Sequence, residues 1–394
     1  MGRVRRGDAG RVSHRAPKRS LIMEPSIIQV GLLRRTAGSA LGLLTAAIAL
    51  GRRGEPQGKR AVILEPYGMG DVISLEPLVR QLRGSGWQVR LAARPAWREL
   101  LPDGQLDGWC DFTAPWSRYE SGQKYRLGAL FGAELRDARV RLREAASGAV
   151  GIDPRGDVRS VHLLWLAGCR QVWSLDRYLG TDLALPKRAA SQLPTNPKLP
   201  RWRLNLPFFT ALTDQPAAER PPDLRHLIPP GVKGVERRVA LVPVAPWRGK
   251  LWEPEKWREL ITQLHTRGWQ ATGLCGPQQT GEARVALGEA TPVTECADLA
   301  QWVSGLTRSS LVVTLDTGPM HLAAALGVPL VALFGQGLLP LWQPAGERSV
   351  VVSHQADADF KPCHPLEENW EQGARFMRRI TVAEVLAAAE QVAR

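Results

Sequence analysis

The run Leu311-Val-Val-Thr-Leu-Asp316-Thr317-Gly318-Pro319-Met320-His321-Leu-Ala-Ala-Ala-Leu-Gly327-Val-Pro329-Leu-Val-Ala-Leu-Phe334-Gly335 decides the fold. An apolar, β-branched segment ends in Asp-Thr-Gly-Pro, an Ala/Leu-rich segment follows, Gly327 and Pro329 close it, and a second apolar segment begins. That pattern predicts strand, turn, helix, strand. Both strands are apolar throughout, as in a parallel sheet buried on both faces. The turn after Leu315 therefore opens at a strand's carboxyl end, where open α/β sheets bind ligands. Thr317 and Gly318 lie where the first helical N–H groups point outward unpaired and the helix dipole favours negative charge, which suits a phosphate. Asp316 and His321 can face the same pocket, and a carboxylate and an imidazole there suit sugar hydroxyls. The alternative is a capped helix with a surface histidine.

Alternation of this kind recurs on both sides. Upstream, Arg238–Pro243 reads as a strand, Pro254–Arg267 as a helix and Trp269–Cys275 as a strand, with helices over Thr280–Leu287 and Leu299–Arg308. The loop between the first of these strands and its helix brings Arg248 and Lys250 to the sheet edge that carries Asp316, where a pyrophosphate leaving group needs cations. Trp252 in the same loop reads as a wedge against the core.

In the N-terminal half Ala61–Leu64 is a buried strand, and Gly68-Met69-Gly70-Asp71 forms the turn after it. A helix follows over Val72–Arg83, kinked by Pro77 or holding it near its first turn. Asp71 is a carboxylate at a helix amino end beside glycines that allow close backbone approach; the alternative is an N-cap. Trp87–Ala93 reads as a second strand and Gly128–Ala146 as a charged amphipathic helix. Gly148–Asp153 is a further strand, followed by Arg155 and an apolar helix to Gly168. Arg155 can meet an anionic acceptor or close a salt bridge. From Leu185 to Glu236 prolines are dense, which reads as an interdomain connection with one short helix near Phe208.

A chain of 394 residues fits two domains, and 44% hydrophobic residues supply a core for each. Of the +14 net charge, +10 lies before Ala61: thirteen Lys/Arg against Asp8, Glu24 and Glu55. The body is only mildly basic, so nucleic acid is not an expected partner, whereas an anionic membrane surface suits the basic leader. Met1–Ser20 reads as disordered. The uncharged stretch Thr36–Gly51 makes a helix of about 24 Å, short of the roughly 30 Å hydrocarbon core. The preferred reading is a helix lying in the membrane interface, held by Arg34, Arg35, Arg52 and Arg53. A signal sequence and a helix packed on the protein are the alternatives. Five cysteines, odd in number and without CxxC, indicate neither a disulfide framework nor a zinc site.

Together these residues resemble glycosyltransferases of the bacterial lipopolysaccharide heptosyltransferase type, family 9. The resemblance spans roughly Arg60 to the C-terminus. It rests on Asp316-Thr-Gly-Pro-Met-His321 with Gly327 and Pro329, on Gly70-Asp71-Val with Pro77, on Ile152-Asp153 through Arg159-Ser160, on Lys250-Leu-Trp252 with Trp257, and on Pro362-Cys363 followed by Ile380-Thr-Val. It implies a GT-B fold: two Rossmann-like α/β domains whose parallel sheets face an interdomain cleft. The expected boundaries are a leader over 1–58, an acceptor domain over 59–215 and a nucleotide-sugar donor domain over 216–394.

The resemblance also implies an inverting transfer from a nucleotide-activated sugar, usually ADP-heptose, to a lipid-linked glycan, with no cofactor or obligatory metal. Asp71 is then the general base and Lys250 the cation that offsets charge on the leaving pyrophosphate. Asp316, Thr317, Gly318, His321 and Arg248 bind the donor, while Arg155 and Gly70 serve the acceptor. The expected location is cytoplasmic, peripheral to the inner membrane. Three positions depart from the family pattern: Ala245-Pro246 replaces a hydroxyl residue, Gln278-Gln279 stands where a ribose-reading Glu is common, and Phe376 replaces a second Cys. A silent nucleotide-sugar-binding or scaffold protein of the same fold is the alternative from another class, and a nucleotide-sugar 2-epimerase is a third.

Overall fold

A computed structural model describes residues 28–102, 104–116, 132–362 and 370–393. The basic run 1–20, residues 128–131 and Cys363 lie outside them. Two six-stranded, all-parallel sheets organise the chain. The first contains β1 (Arg60–Glu65), β2 (Gln88–Ala93), β3 (Gly108–Asp111), β4 (Val150–Asp153), β5 (Gln171–Leu175) and β6 (Ser191–Leu193), in the order β3-β2-β1-β4-β5-β6. The second contains β7 (Val235–Val242), β8 (Gln270–Cys275), β9 (Val293–Glu295), β10 (Ser309–Leu315), β11 (Leu330–Phe334) and β12 (Ser349–Ser353), in the order β12-β11-β10-β7-β8-β9. The two orders are one topology used twice. In each, the strand order reverses between the first and fourth strands, β1 beside β4 and β7 beside β10. A crevice opens at the carboxyl ends of such a pair, because the connections leave it in opposite directions.

The strands form where apolar residues run unbroken, and β10, β11 and β4 are buried almost along their whole lengths. Helices cover both faces of the sheets, and one apolar cluster continues from the first domain into the second through Met69, Met320 and Leu338.

The structure departs from the sequence reading in four places. The helix expected over Val72–Arg83 is two helices, α2 (Met69–Ile73) and α3 (Glu76–Gly84). Pro77 sits in the first turn of α3, where its missing N–H costs nothing, and the chain breaks at Ser74-Leu75 before it. Strands β3, β5 and β6 are short or interrupted by polar residues and had no clear period-2 pattern.

The proline-dense stretch is only partly a connection. It holds β6 and a thirteen-residue helix, α6 (Arg201–Thr213), which packs on α3 and carries Pro207 in its interior. Finally, the uncharged stretch near the N-terminus lies in α1 (Leu32–Arg52), which packs along α5 (Val158–Ala167). Thr45 on its inner face meets His162 Nδ1 at 2.9 Å, and Arg52 donates to the Trp165 carbonyl. Among the described residues no helix is long and apolar enough to cross a membrane.

Candidate active site at the two switch points

Four of the turns singled out in the sequence, those after β1, β4, β7 and β10, fall at one of the two crevices. Asp71 follows β1 and Arg155 follows β4, so the pair straddles the first switch point, and Arg155 donates to Asp71 Oδ1 at 2.6 Å. Lys250 follows β7 and Asp316 follows β10, straddling the second; Lys250 Nζ lies 2.7 Å from Asp316 Oδ2 and 3.0 Å from its carbonyl. Each domain thus carries one ion pair across its own crevice. Both pairs are largely buried, which makes either partner expensive to remove alone.

The domains meet where these crevices face each other. α2 packs on α10 (Gly318–Ala325), and Gly70 lies against the His321 imidazole so closely that a Cβ there would sit 2.4 Å from Cδ2. A Cβ on Gly318 would in turn sit 3.0 Å from Met69 Cβ. Gly70, expected on the acceptor side, is therefore placed first of all as an interdomain contact. The rims touch at this point. Burial pushes the His321 pKa down from its ordinary value, with Asp316 and Asp71 opposing and Lys250 assisting, so the ring is neutral at neutral pH.

Asp71 is further fixed by the Gly68 N–H, which donates to Oδ2 at 3.1 Å. Around it lies a buried polar cluster that the sequence did not reveal. Glu65, the last residue of β1, is fully buried; Arg201 of α6 donates to its Oε2 at 3.0 Å, and Arg155 lies 3.6 Å from Oε1. Arg201 also donates to Asn205, whose amide donates to the Ser74 carbonyl. Desolvation first, then the charge of Asp71, pushes Glu65 up to about 8, against the pull of both arginines. Two guanidiniums, of Arg155 and Arg201, thus face the carboxyl groups of Glu65 and Asp71. Arg155 stacks over the Tyr67 ring at 4.1 Å and its Nε has no hydrogen-bond partner among the described residues. The one sequence signal for this cluster was a lone glutamate closing the apolar run Ala61–Leu64.

On the donor side Thr317 precedes the first turn of α10, and its hydroxyl turns back to the Leu315 carbonyl, leaving the helical N–H groups uncapped by it. Arg248 lies in a short 3-10 turn, its guanidinium 4.2 Å from the centre of the Trp370 ring. Trp252 packs on Trp257 and donates its indole N–H to the Ile380 carbonyl, the wedge role expected of it. Gln279 accepts from the Gly276 N–H at 2.9 Å and Gln278 adopts φ +65°, so this pair shapes the turn after β8. A cavity of about 540 Å³ lies at the opposite, amino ends of β7 and β10, lined by residues such as Arg237, Trp269 and Arg348. It contains none of the site residues.

Comparison with known proteins fixes what these crevices are related to. Residues 194–368, from the end of the first sheet to beyond β12, match the model of glycosyltransferase family 9 (heptosyltransferase). Lipopolysaccharide heptosyltransferase 3 of Escherichia coli K12 is 27% identical over 175 residues, 43% of this chain and 49% of that protein. Lipopolysaccharide heptosyltransferase 1 of Pseudomonas aeruginosa is 37% identical over 122 residues, 30% of this chain and 33% of that protein. The chain thus spans half or less of the length of these curated relatives. The likeness of fold extends further than the sequence match. The E. coli heptosyltransferase WaaC with ADP superposes with a TM-score of 0.64 at 19% identity, covering 84% of this chain and 99% of that one. The E. coli ADP-heptose heptosyltransferase II gives 0.57 at 18% identity, over 85% and 98%. The fold is GT-B.

Proposed function

We propose that this protein is an inverting glycosyltransferase that moves a sugar, a heptose or a related one, from an ADP-linked nucleotide donor to a hydroxyl of a lipid-linked cell-envelope glycan such as lipopolysaccharide core. The observation that carries the reading is the pairing of two crevices across Gly70 and His321, one holding a carboxylate with a guanidinium and the other a lysine with an aspartate. The family 9 segment and the names of its relatives support the same reaction class.

The chemistry follows from the charges. The acceptor oxygen attacks the anomeric carbon on the face opposite the diphosphate; its proton passes to Asp71 Oδ1, and the bond to the diphosphate breaks with the electron pair leaving on a phosphate oxygen. Arg155 occupies that same Oδ1 at rest, so it must turn away first, toward an anionic group of the acceptor. Lys250 turns from Asp316 to the departing diphosphate, whose oxygens the N–H groups at Thr317 and Gly318 receive, with Arg248 alongside. Asp316 and neutral His321 then hold sugar hydroxyls. The enzyme works at the cytoplasmic face of the inner membrane as a peripheral protein, held to an anionic surface through residues 26–53.

The second reading, a silent nucleotide-sugar-binding protein, draws on the Ala245-Pro246 loop, which offers phosphate no hydroxyl. Transfer measured for wild type against Asp71→Ala separates the two, and thermal unfolding with ADP, UDP, GDP and CDP tests the donor. A transferase of this type is stabilised by ADP above the others, by about 2.7 kcal/mol at a hundredfold excess over Kd. Equal or no stabilisation by all four refutes the donor assignment.

A further inference from the structure

Nine large apolar side chains are exposed among the described residues, and five of them, Leu32, Leu33, Leu43, Leu44 and Leu50, belong to α1. At 100° per residue all five fall within an arc of about 120°, with Ala40 and Ala47 between them. Their exposures are 80, 80, 71, 46 and 67%. A monomer in water does not keep such a stripe uncovered.

The opposite face of α1 is committed to the fold. Leu41, Gly42, Thr45 and Ala49 are buried against α5 and the loop after β5. Gly42 touches Pro186 so closely that a Cβ would lie 2.1 Å from its Cγ, and Arg35 pairs with Asp182. The helix is thus fixed on the protein, and its leucines point away from it. Cations stand at the two ends of the helix, Arg34 and Arg35 in its first turn and Arg52 and Arg53 at its close, within a stretch up to Arg60 that carries thirteen Lys/Arg against Asp8, Glu24 and Glu55. Glu55 is the acid nearest in sequence. An apolar stripe flanked by arginines is complementary to an anionic lipid surface and not to a second copy of itself, whose arginines would face these.

The direction of the helix matters as much as its face. Its amino end abuts the loop after β5 through Asp182, and in that loop the Leu179 N–H donates to the carbonyl of Arg155. Its carboxyl end lies by Arg170, before β5 begins. The helix therefore runs from the acceptor rim down the flank of the first domain.

We propose that α1 is an in-plane docking helix for an anionic bilayer. Its leucine stripe enters the acyl boundary, and the rim carrying Asp71 and Arg155 is held at lipid level, so that a lipid-linked acceptor reaches the site without leaving the membrane. This rests on the transferase reading only for the identity of the acceptor; the docking itself does not.

The test is cosedimentation of the full chain with vesicles of phosphatidylethanolamine and phosphatidylglycerol, against phosphatidylcholine alone, for wild type and for the triple variant Leu43→Ser, Leu44→Ser, Leu50→Ser. Wild type is expected to prefer the anionic vesicles at least tenfold, and the variant to lose at least a hundredfold in vesicle affinity while keeping the wild-type Tm and monomeric mass by light scattering. Anionic-vesicle binding by the variant equal to wild type overturns the proposal. So does a wild-type dimer that ignores vesicles and that the variant dissociates, since the stripe then covers a second copy. No donor or acceptor enters this assay, so its failure is distinct from failure of the transferase reading.

Discussion

Gly70→Ala places one methyl group between the domains. Its backbone angles suit any residue, so no strain arises from φ; the cost is the contact itself, with Cβ 2.4 Å from His321 Cδ2 and 3.0 Å from Nε2. The struck atom belongs to a half-buried ring, which feels the charges of Asp316, Asp71 and Lys250. Either His321 leaves its place or α2 and α10 separate. Overpacking of this kind costs about 1–3 kcal/mol. If that penalty falls on the closed arrangement in which both crevices face one sugar, turnover drops about 5- to 150-fold, because 1.36 kcal/mol is a factor of ten in rate. The assay is steady-state release of nucleotide diphosphate, with Tm measured in parallel. The double variant Gly70→Ala, His321→Ala should recover Tm, since the methyl then has space, while activity stays low for want of the imidazole. Wild-type kcat/KM for Gly70→Ala would refute the reasoning that this contact sets the active geometry.

Other consequences follow from single groups. Lys250→Ala should lower kcat about 100- to 1000-fold, as loss of a cation at a leaving group does, with KM little changed; an effect confined to KM would remove Lys250 from the chemical step. Burial, opposed by Arg80, pushes Glu76 up to about 7 from 4.5. Its folded pKa exceeds its unfolded one, so the stability it contributes is full below about 4.5 and is lost as pH rises through about 7. Across that window urea unfolding should show wild type losing about 3 kcal/mol more than Glu76→Gln, and parallel curves would contradict the shift. Thr45→Val removes the 2.9 Å bond to His162 and should loosen α1 on α5 by about 1 kcal/mol, read as faster amide exchange in α1 alone.

Much of this architecture was legible because parallel strands buried on both faces must be apolar throughout, and the turns after them must carry whatever chemistry there is. Asp71, Lys250 and Asp316 stood out for that reason. What escaped notice depends on distance along the chain. Arg201 meets Glu65 across 136 residues, and neither position looks unusual alone. The helix expected near Phe208 is α6, longer than expected because Pro207 argues against a helix through it, yet packing on α3 and the bonds of Arg201 and Asn205 hold it. The N-terminal uncharged stretch was ambiguous on its own terms. Its lack of charge and its length suggested a helix, but only the contact of Gly42 with Pro186 and the bond of Thr45 to His162 tell which face belongs to the protein.

Replacing Asp71 with alanine bears most directly on the account, measured as single-turnover transfer alongside calorimetric binding of nucleotide diphosphate. Asp71 lies across the domain contact from the turn at Thr317-Gly318, so the expected result is transfer reduced by at least 100-fold with nucleotide affinity unchanged. Transfer at the wild-type rate would show that the proton goes elsewhere, and that the facing of the two crevices does not place a base on the acceptor.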